Sequence, residues 1–265
     1  MQQIPVFVIS MKSAVTRRAS IERHLTGLGI EYEIFDAVRG ADLGEAKLRE
    51  LNPSGNRTPG SVGTYMSQMG VYRLMLERDL PVALVLEDDA VLLPPARALL
   101  QAGCRTLDFD ICYLGCDDEG DAGFIYLDTQ SAFDLGAGLT AYVLSGGPYC
   151  LHAYLITRAG AEKRLAEAFP IRTPIDHYSR LQTRLRFAAV VPMVGFVNEE
   201  SAVGSVAAAN WSALQSQLKQ RWWYYPLRDL VKLRVLRKRL ARREARVPYP
   251  GRWRAYRSAL RVIRQ

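Results

Sequence analysis

Long apolar runs are missing from this chain. No stretch approaches the ~18 consecutive apolar residues that mark a membrane-crossing helix, so no spanning segment is expected. The apolar start Ile4-Pro5-Val6-Phe7-Val8-Ile9 is too short for a signal-peptide core and breaks at Ser10-Met11-Lys12. Cysteine is scarce: the four, Cys104, Cys112, Cys116 and Cys150, form no CxxC pair. Without an export signal, reduced structural thiols are the expectation. Cys112 and Cys116 have a spacing that could suit zinc, but no second Cys/His pair follows closely. A glycine-rich phosphate loop and a basic catalytic cluster are both absent, which counts against a nucleotidyltransferase or nuclease. No internal repeat is visible.

Charge is present in quantity but unevenly placed. The 265 residues carry a formal net charge of +8. From Arg221 to Gln265 there are 15 Lys/Arg and 2 Asp/Glu, a net of +13. Residues 1–220 hold 20 basic and 25 acidic side chains, a net of −5. The chain is an acidic body with a basic tail, and the expected division is 1–205 for the body and 206–265 for the tail.

Within the body, Ile4–Ile9 predicts a buried strand and Ala14–Leu28 a helix, with Ile21, Leu25 and Leu28 at helical spacing and Gly29 as its stop. Glu31–Asp36 follows as a second strand. This β-α-β opening predicts an α/β nucleotide-binding domain. Asn52–Gly63, rich in Pro, Gly, Ser and Asn, reads as a loop, and Tyr65–Asp79 as a helix. Val82–Leu86 and Asp110–Leu114 read as strands. Gly115–Pro148, rich in Gly, Asp and Ser, is too long for a simple connection and reads as a long loop of the kind that is functional or disordered. Cys150–Ile156 reads as a strand and Ala159–Phe169 as a helix. Thr173–His177 is a turn feeding a helix from Tyr178, and Ala188–Val197 is a last strand before Glu199 and Glu200.

Glu87-Asp88-Asp89 ends the apolar run Val82–Leu86. Desolvating a carboxylate costs several kcal/mol unless it is paired or bound to metal. In open α/β sheets the carboxyl ends of strands are also where ligands bind. A strand delivering three acids there is suited to a hard divalent cation, Mn2+ or Mg2+, against a phosphate-bearing substrate. Alternate residues of an extended strand share a direction, so Glu87 and Asp89 are the expected metal ligands, with Asp88 facing elsewhere, toward ribose or sugar hydroxyls. The competing reading is a solvated acidic turn.

Six segments in order resemble glycosyltransferase family 25, the lipooligosaccharide galactosyltransferase family. They are Val8-Ile9-Ser10-Met11 with Arg17-Arg18, Phe35–Val38, Gly60–Gln68, Leu84–Asp89, His152–Thr157 and Pro174–His177. Two positions depart from the family pattern: Ser10 where Asn is usual, and Gln68 where His is usual. The resemblance implies a GT-A-type fold and a UDP-sugar donor, typically UDP-galactose. It also implies transfer to a sugar hydroxyl with inversion. On that reading Ile9, Arg17, Asp36, Ser67, Gln68 and Asp88 surround the donor. Arg17 and Arg18 would approach the nucleotide, and Asp36 would accept from uridine or ribose. Ser67 and Gln68 stand near a helix N-terminus, which favours anions. Asp176 is the expected base, with His177 as alternative, although Asp176 could equally cap the following helix. His152, inside an apolar strand, reads first as a core residue. With no histidine after His177, Glu199 or Glu200, or diphosphate and water, would complete a metal shell.

In the tail, Trp222-Trp223-Tyr224-Tyr225 precedes Leu227, Leu230, Val231, Leu233, Leu236 and Leu240, spaced at helical steps among Arg and Lys. A basic amphipathic helix flanked by aromatics predicts a membrane-surface anchor for anionic lipid. No nucleic-acid motif accompanies it, so no nucleic-acid partner is expected. The expectation is a cytoplasmic protein, peripheral on the inner face of the membrane, acting on a glycolipid acceptor.

Overall fold

The computed structural model describes residues 3–117, 124–144, 149–176, 184–198 and 244–248. The opening is β1 (Val6–Ser10), α1 (Val15–Leu28) and β2 (Glu33–Asp36), followed by a 3-10 turn at Gly40–Leu43, then α2 (Gly44–Leu51) and α3 (Pro59–Glu77). Next come β3 (Val82–Glu87), β4 (Ala90–Leu92), α4 (Pro94–Ala102) and β5 (Ile111–Asp117). After β6 (Phe124–Asp128), β7 (Phe133–Gly136), β8 (Leu139–Val143) and β9 (Tyr149–Thr157) come α5 (Arg158–Ala166), β10 (Phe187–Val190), β11 (Gly195–Val197) and β12 (Glu244–Pro248).

Eight strands form a mixed sheet in the order β2-β1-β3-β9-β5-β10-β8-β7. β2, β1 and β3 run parallel, β9 is antiparallel to both β3 and β5, and β10 is parallel to β5. Both faces are covered, which is why the central strands are apolar without alternation. Phe7, Ile9, Ala83 and Val85 pack on one face with residues of α2, α3 and α5. Val6, Val8, Leu84 and Leu86 pack on the other with residues of α1 and α4. The sequence therefore places the carboxyl ends of β1, β2 and β3 side by side, with Ser10 opposite Asp36 and Ile9 opposite Glu87.

Several expectations are corrected. The loop expected over Asn52–Gly63 ends at Thr58, because Pro59 opens α3 and the Thr58 hydroxyl accepts from the Ser61 amide at 3.2 Å. Gly115–Pro148 is no single loop: β6, β7 and β8 lie within it. Ala188–Val197 is two strands in different sheets, β10 in the main sheet and β11 paired with β4. Cys112 and Cys116 cannot share a zinc, since irregular pairing between β5 and β9 shifts the alternation and sends them to opposite faces. In the tail expected to be helical, Glu244–Pro248 is a strand, antiparallel to β6. The rest of 206–265 lies outside the described residues. No described helix is long and apolar enough to cross a membrane.

Candidate active site

The site stands where β1, β2 and β3 end. β3 stops at Glu87, and Asp88 and Asp89 form the turn into β4, so strand alternation no longer governs where they point. Asp88 turns inward. The Ser10 hydroxyl donates to its Oδ2 at 2.8 Å, and Arg17 Nε lies 3.4 Å from its Oδ1. Asp88 is 6% exposed, so this buried carboxylate is held by one hydroxyl and one guanidinium. Arg18 ties the adjoining strands together, donating to the Ser10 carbonyl at 2.9 Å and to Asp36 at 3.0 Å. Lys12 also pairs with Asp36, at 3.2 Å. Arg18 first, then Lys12, holds the Asp36 carboxyl below its usual range.

Glu87 carries a strongly shifted carboxyl. Loss of water, and then Asp89, Asp176 and Asp88, push its carboxyl up to about 8, with only Arg17 opposing. Asp176, far along the chain, is thus brought to the acid turn. The Asp89 carboxyl is also raised, by burial and by Asp88. Its Oδ1 is buried without a hydrogen-bond partner, while its main-chain carbonyl accepts from the Asn198 amide at 2.7 Å. Asn198 arrives there because β11 pairs with β4, Val197 opposite Ala90.

The profile of glycosyltransferase family 25 (LPS biosynthesis protein) matches residues 3–179. The chain belongs to glycosyltransferase family 25. It is 29% identical over 190 residues to procollagen galactosyltransferase 1-A of Xenopus laevis, covering 65% of this chain and 30% of that protein. A glycosyltransferase 25 family member of Drosophila melanogaster is 28% identical, covering 65% and 29%. The inactive glycosyltransferase 25 family member 3 of Homo sapiens is 29% identical, covering 65% and 30%. The chain thus matches under a third of the length of these relatives.

In this family 25 chain the acid turn fits a divalent cation by its chemistry. Three carboxylates bear on Glu87 against one arginine, and a buried Asp89 oxygen lacks a donor. Yet among the described residues no three His, Cys, Asp or Glu side chains form a ready-made metal-binding group. A cation held by Glu87 and Asp89 would have to draw further ligands from substrate and water.

The remaining expected residues are placed as follows. Ile9 is buried beside Glu87, leaving its backbone as the polar part near the site. Ser67 is buried, and its hydroxyl donates to the Gly63 carbonyl at 2.7 Å and accepts from the Val38 amide at 2.9 Å. It braces the loop after β2 against α3. Gln68 is buried too. Its Oε1 accepts from the Tyr154 hydroxyl, which is 2.7 Å from that of Tyr72, while its Nε2 has no partner. His152 is a core residue, 1% exposed, its pKa lowered to about 4 by burial. His177, Glu199 and Glu200 lie outside the described residues.

Two neighbours of the acid turn escaped the sequence reading. A cavity of about 140 Å3 beside Asp88 and Asp89 is also lined by Ser20, His24 and Asn198. His24 Nε2 accepts from the Leu92 amide at 2.9 Å, and burial lowers the pKa of the ring. Arg17, Ile21 and His24 step by four and three along α1, so a signal for His24 existed. Asn198 had none, since its position depends on the long-range pairing of β11 with β4.

Proposed function

We propose that this chain transfers a hexose, galactose from UDP-galactose in the first instance, to a saccharide hydroxyl of a lipooligosaccharide or other glycolipid. The observation that carries the reading is the convergence of Glu87, Asp88, Asp89 and Asp176 at the carboxyl edge of the sheet, with Arg17 as the cation acting on them. Family membership supplies the reaction class. The procollagen galactosyltransferase relatives point to galactose, and the LPS description of the family points to a lipid-linked acceptor. We read the fold as of GT-A type, on the family resemblance and the acid turn at the strand ends of the mixed sheet.

Glu87 and Asp89 would hold Mn2+ or Mg2+, which when bound would supply Lewis-acid neutralisation of the leaving diphosphate. Arg17 fixes Asp88 so that it presents one orientation toward the donor's ribose or sugar hydroxyls, and Asp36 receives the nucleoside. Asp176 takes the proton of the acceptor hydroxyl as that oxygen attacks the anomeric carbon. A single displacement of this kind inverts the configuration. The basic tail holds the enzyme at an anionic membrane on the cytoplasmic side, where a glycolipid acceptor lies.

A second reading, a sugar-nucleotide or glycolipid binder with weak catalysis, is favoured by relatives described as inactive and by Gln68 in place of the family's usual His. Hydrolysis of UDP-sugars with Mn2+ separates the two. Asp89→Ala is expected to lose roughly 10²-fold or more, the scale for removing one transition-state charge contact. Absence of metal-dependent turnover with any UDP-sugar would sink the enzymatic reading. A UDP-sugar that raises the melting temperature without turnover would support the binder.

A further inference from the structure

A second cleft lies away from the acid turn, on the outer side of α2 and α3. It is an open groove of about 560 Å3 lined by Leu51 and Met66, with Lys47, Glu50, Arg73 and Phe169 around them. That volume is in the range of pockets that hold ligands of several rings. Leu51 is buried and Met66 partly so, giving an apolar floor under an exposed polar rim.

Phe169 is the unusual member. It is 41% exposed, one of few large apolar side chains left open among the described residues. It is not loose. On one side the Ala168 carbonyl accepts from the Tyr65 hydroxyl at 2.9 Å, and on the other the Ile171 amide donates to the Leu51 carbonyl at 2.8 Å. The Tyr65 ring supports it at 6.1 Å, tilted by 60°. The fold thus holds an aromatic ring open to water between two fixed points of backbone. Arg73 lies over that ring, its guanidinium carbon 5.9 Å from the centroid, and forms no ion pair among the described residues. Lys47 and Glu50 pair with each other at 2.6 Å, so Arg73 is the rim charge left for a ligand.

We propose that this cleft is a saccharide subsite for the acceptor, selecting a sugar that carries a carboxylate or phosphate. A pyranose has an apolar C–H face and a periphery of hydroxyls. The exposed ring of Phe169 with the Leu51–Met66 floor takes the face. The Lys47–Glu50 ion pair borders the cleft as a polar rim beside the sugar's hydroxyls. Arg73 takes the anionic substituent, with bidentate geometry available to it. The same chain segment that carries Phe169 reaches the acid turn at Asp176. Asp176 stands six residues beyond Pro170, so the two lie within roughly 20 Å of each other, a span that a short oligosaccharide bridges. Arg57 steadies the segment between them, donating to the Arg172 carbonyl at 3.4 Å. An acceptor anchored in the cleft would extend its terminal hydroxyl toward Asp176. This assignment rests on the sugar-transfer reading for its purpose, but its binding can be measured without turnover.

The test is an array of immobilised neutral, carboxylated and phosphorylated oligosaccharides probed with the full-length chain. Wild type is expected to retain acidic glycans. Phe169→Ala and Arg73→Gln should each lose at least tenfold in signal, and Phe169→Tyr should keep it. Melting temperatures of the variants identify any loss caused by unfolding. Glycan capture undiminished in both Phe169→Ala and Arg73→Gln overturns the assignment, as does failure of wild type to retain any glycan. Failed UDP-sugar hydrolysis with the glycan pattern intact would overturn the transfer mechanism and leave the subsite standing.

Discussion

At the scale of single residues, the acid turn divides into one satisfied carboxylate and two that are not. Asp88 has the Ser10 hydroxyl at 2.8 Å and Arg17 at 3.4 Å, and it is buried. Removing the donor leaves a charged acceptor short of a partner, so Ser10→Ala should destabilise by roughly 1.5–3 kcal/mol, the range for a hydrogen bond to a charged group. Urea denaturation measures this, and a change under about 0.5 kcal/mol would show that the bond contributes nothing net. Glu87 behaves oppositely. Its folded-state pKa of about 8 lies above the ordinary 4.5, so the folded protein binds the extra proton between those values. The linkage sign follows: stability from this group is present at low pH and is lost as pH rises from 4.5 through 8. Glu87→Gln removes that penalty. Without divalent cations, its melting temperature should equal or trail wild type near pH 5. It should exceed wild type near pH 8 by at least ~2–4 °C, the shift of about one kcal/mol in a domain of this size. Thermal melts across that window decide it, and a difference that does not grow with pH would mean the carboxylates are not crowded as described.

At the scale of elements, the junction between the loop after β2 and the start of α3 is the tightest contact near the site. A Cβ on Gly40 would stand 1.6 Å from the Pro59 carbonyl oxygen, and one on Gly63 would stand 2.4 Å from that of Val38. These obstacles are backbone, which cannot rotate away. Gly40→Ala should therefore destabilise by ~1–3 kcal/mol or more, as overpacking does, read as a lower urea midpoint. An unchanged midpoint would show that the junction can spread. The physics that hid parts of the fold is visible in neighbouring elements. Val82–Leu86 was legible because a strand covered on both faces has no polar position, and the acids follow at its end. The carboxyl-edge placement of Glu87 was legible for the same reason, and that of Asp36 and Arg17 from the β-α-β order, which puts the end of β2 and the start of α1 beside it. β7 and β8 were not, because their hairpin turns at Ala137-Gly138, with φ of 52° and 76°. Both central residues are left-handed, as a two-residue hairpin requires, yet the Asn-Gly or Asp-Gly signature is missing. Asp176 was legible as a candidate base, but only the folded chain brings it to bear on Glu87. Asn198 and the cleft around Phe169 depend wholly on contacts between distant segments, which no local pattern encodes.

For the whole molecule, the question is how an acidic body and a basic tail act together. Residues 1–220 sum to −5 and Arg221–Gln265 to +13. The one described piece of that tail, Glu244–Pro248, runs antiparallel along β6, pairing Glu244 with Asp128 through Pro248 with Phe124. β6 itself meets the main sheet through a bridge between Leu127 and Leu144. The tail therefore returns to the body, and β12 covers an edge of β6 that would otherwise present unpaired backbone groups. Ending the chain at Gln220 removes both the basic charge and this strand, and the two losses have separate readouts. Co-sedimentation with phosphatidylserine vesicles should be strong for the full chain, weaken as salt is raised, and fall to background for the truncated one. Amide hydrogen exchange over Phe124–Asp128 should rise on truncation, while β1 and β3, buried at the centre of the sheet, keep their protection. Equal vesicle binding by both chains would refute the tail as the membrane contact. Unchanged exchange across β6 would refute its pairing with β12.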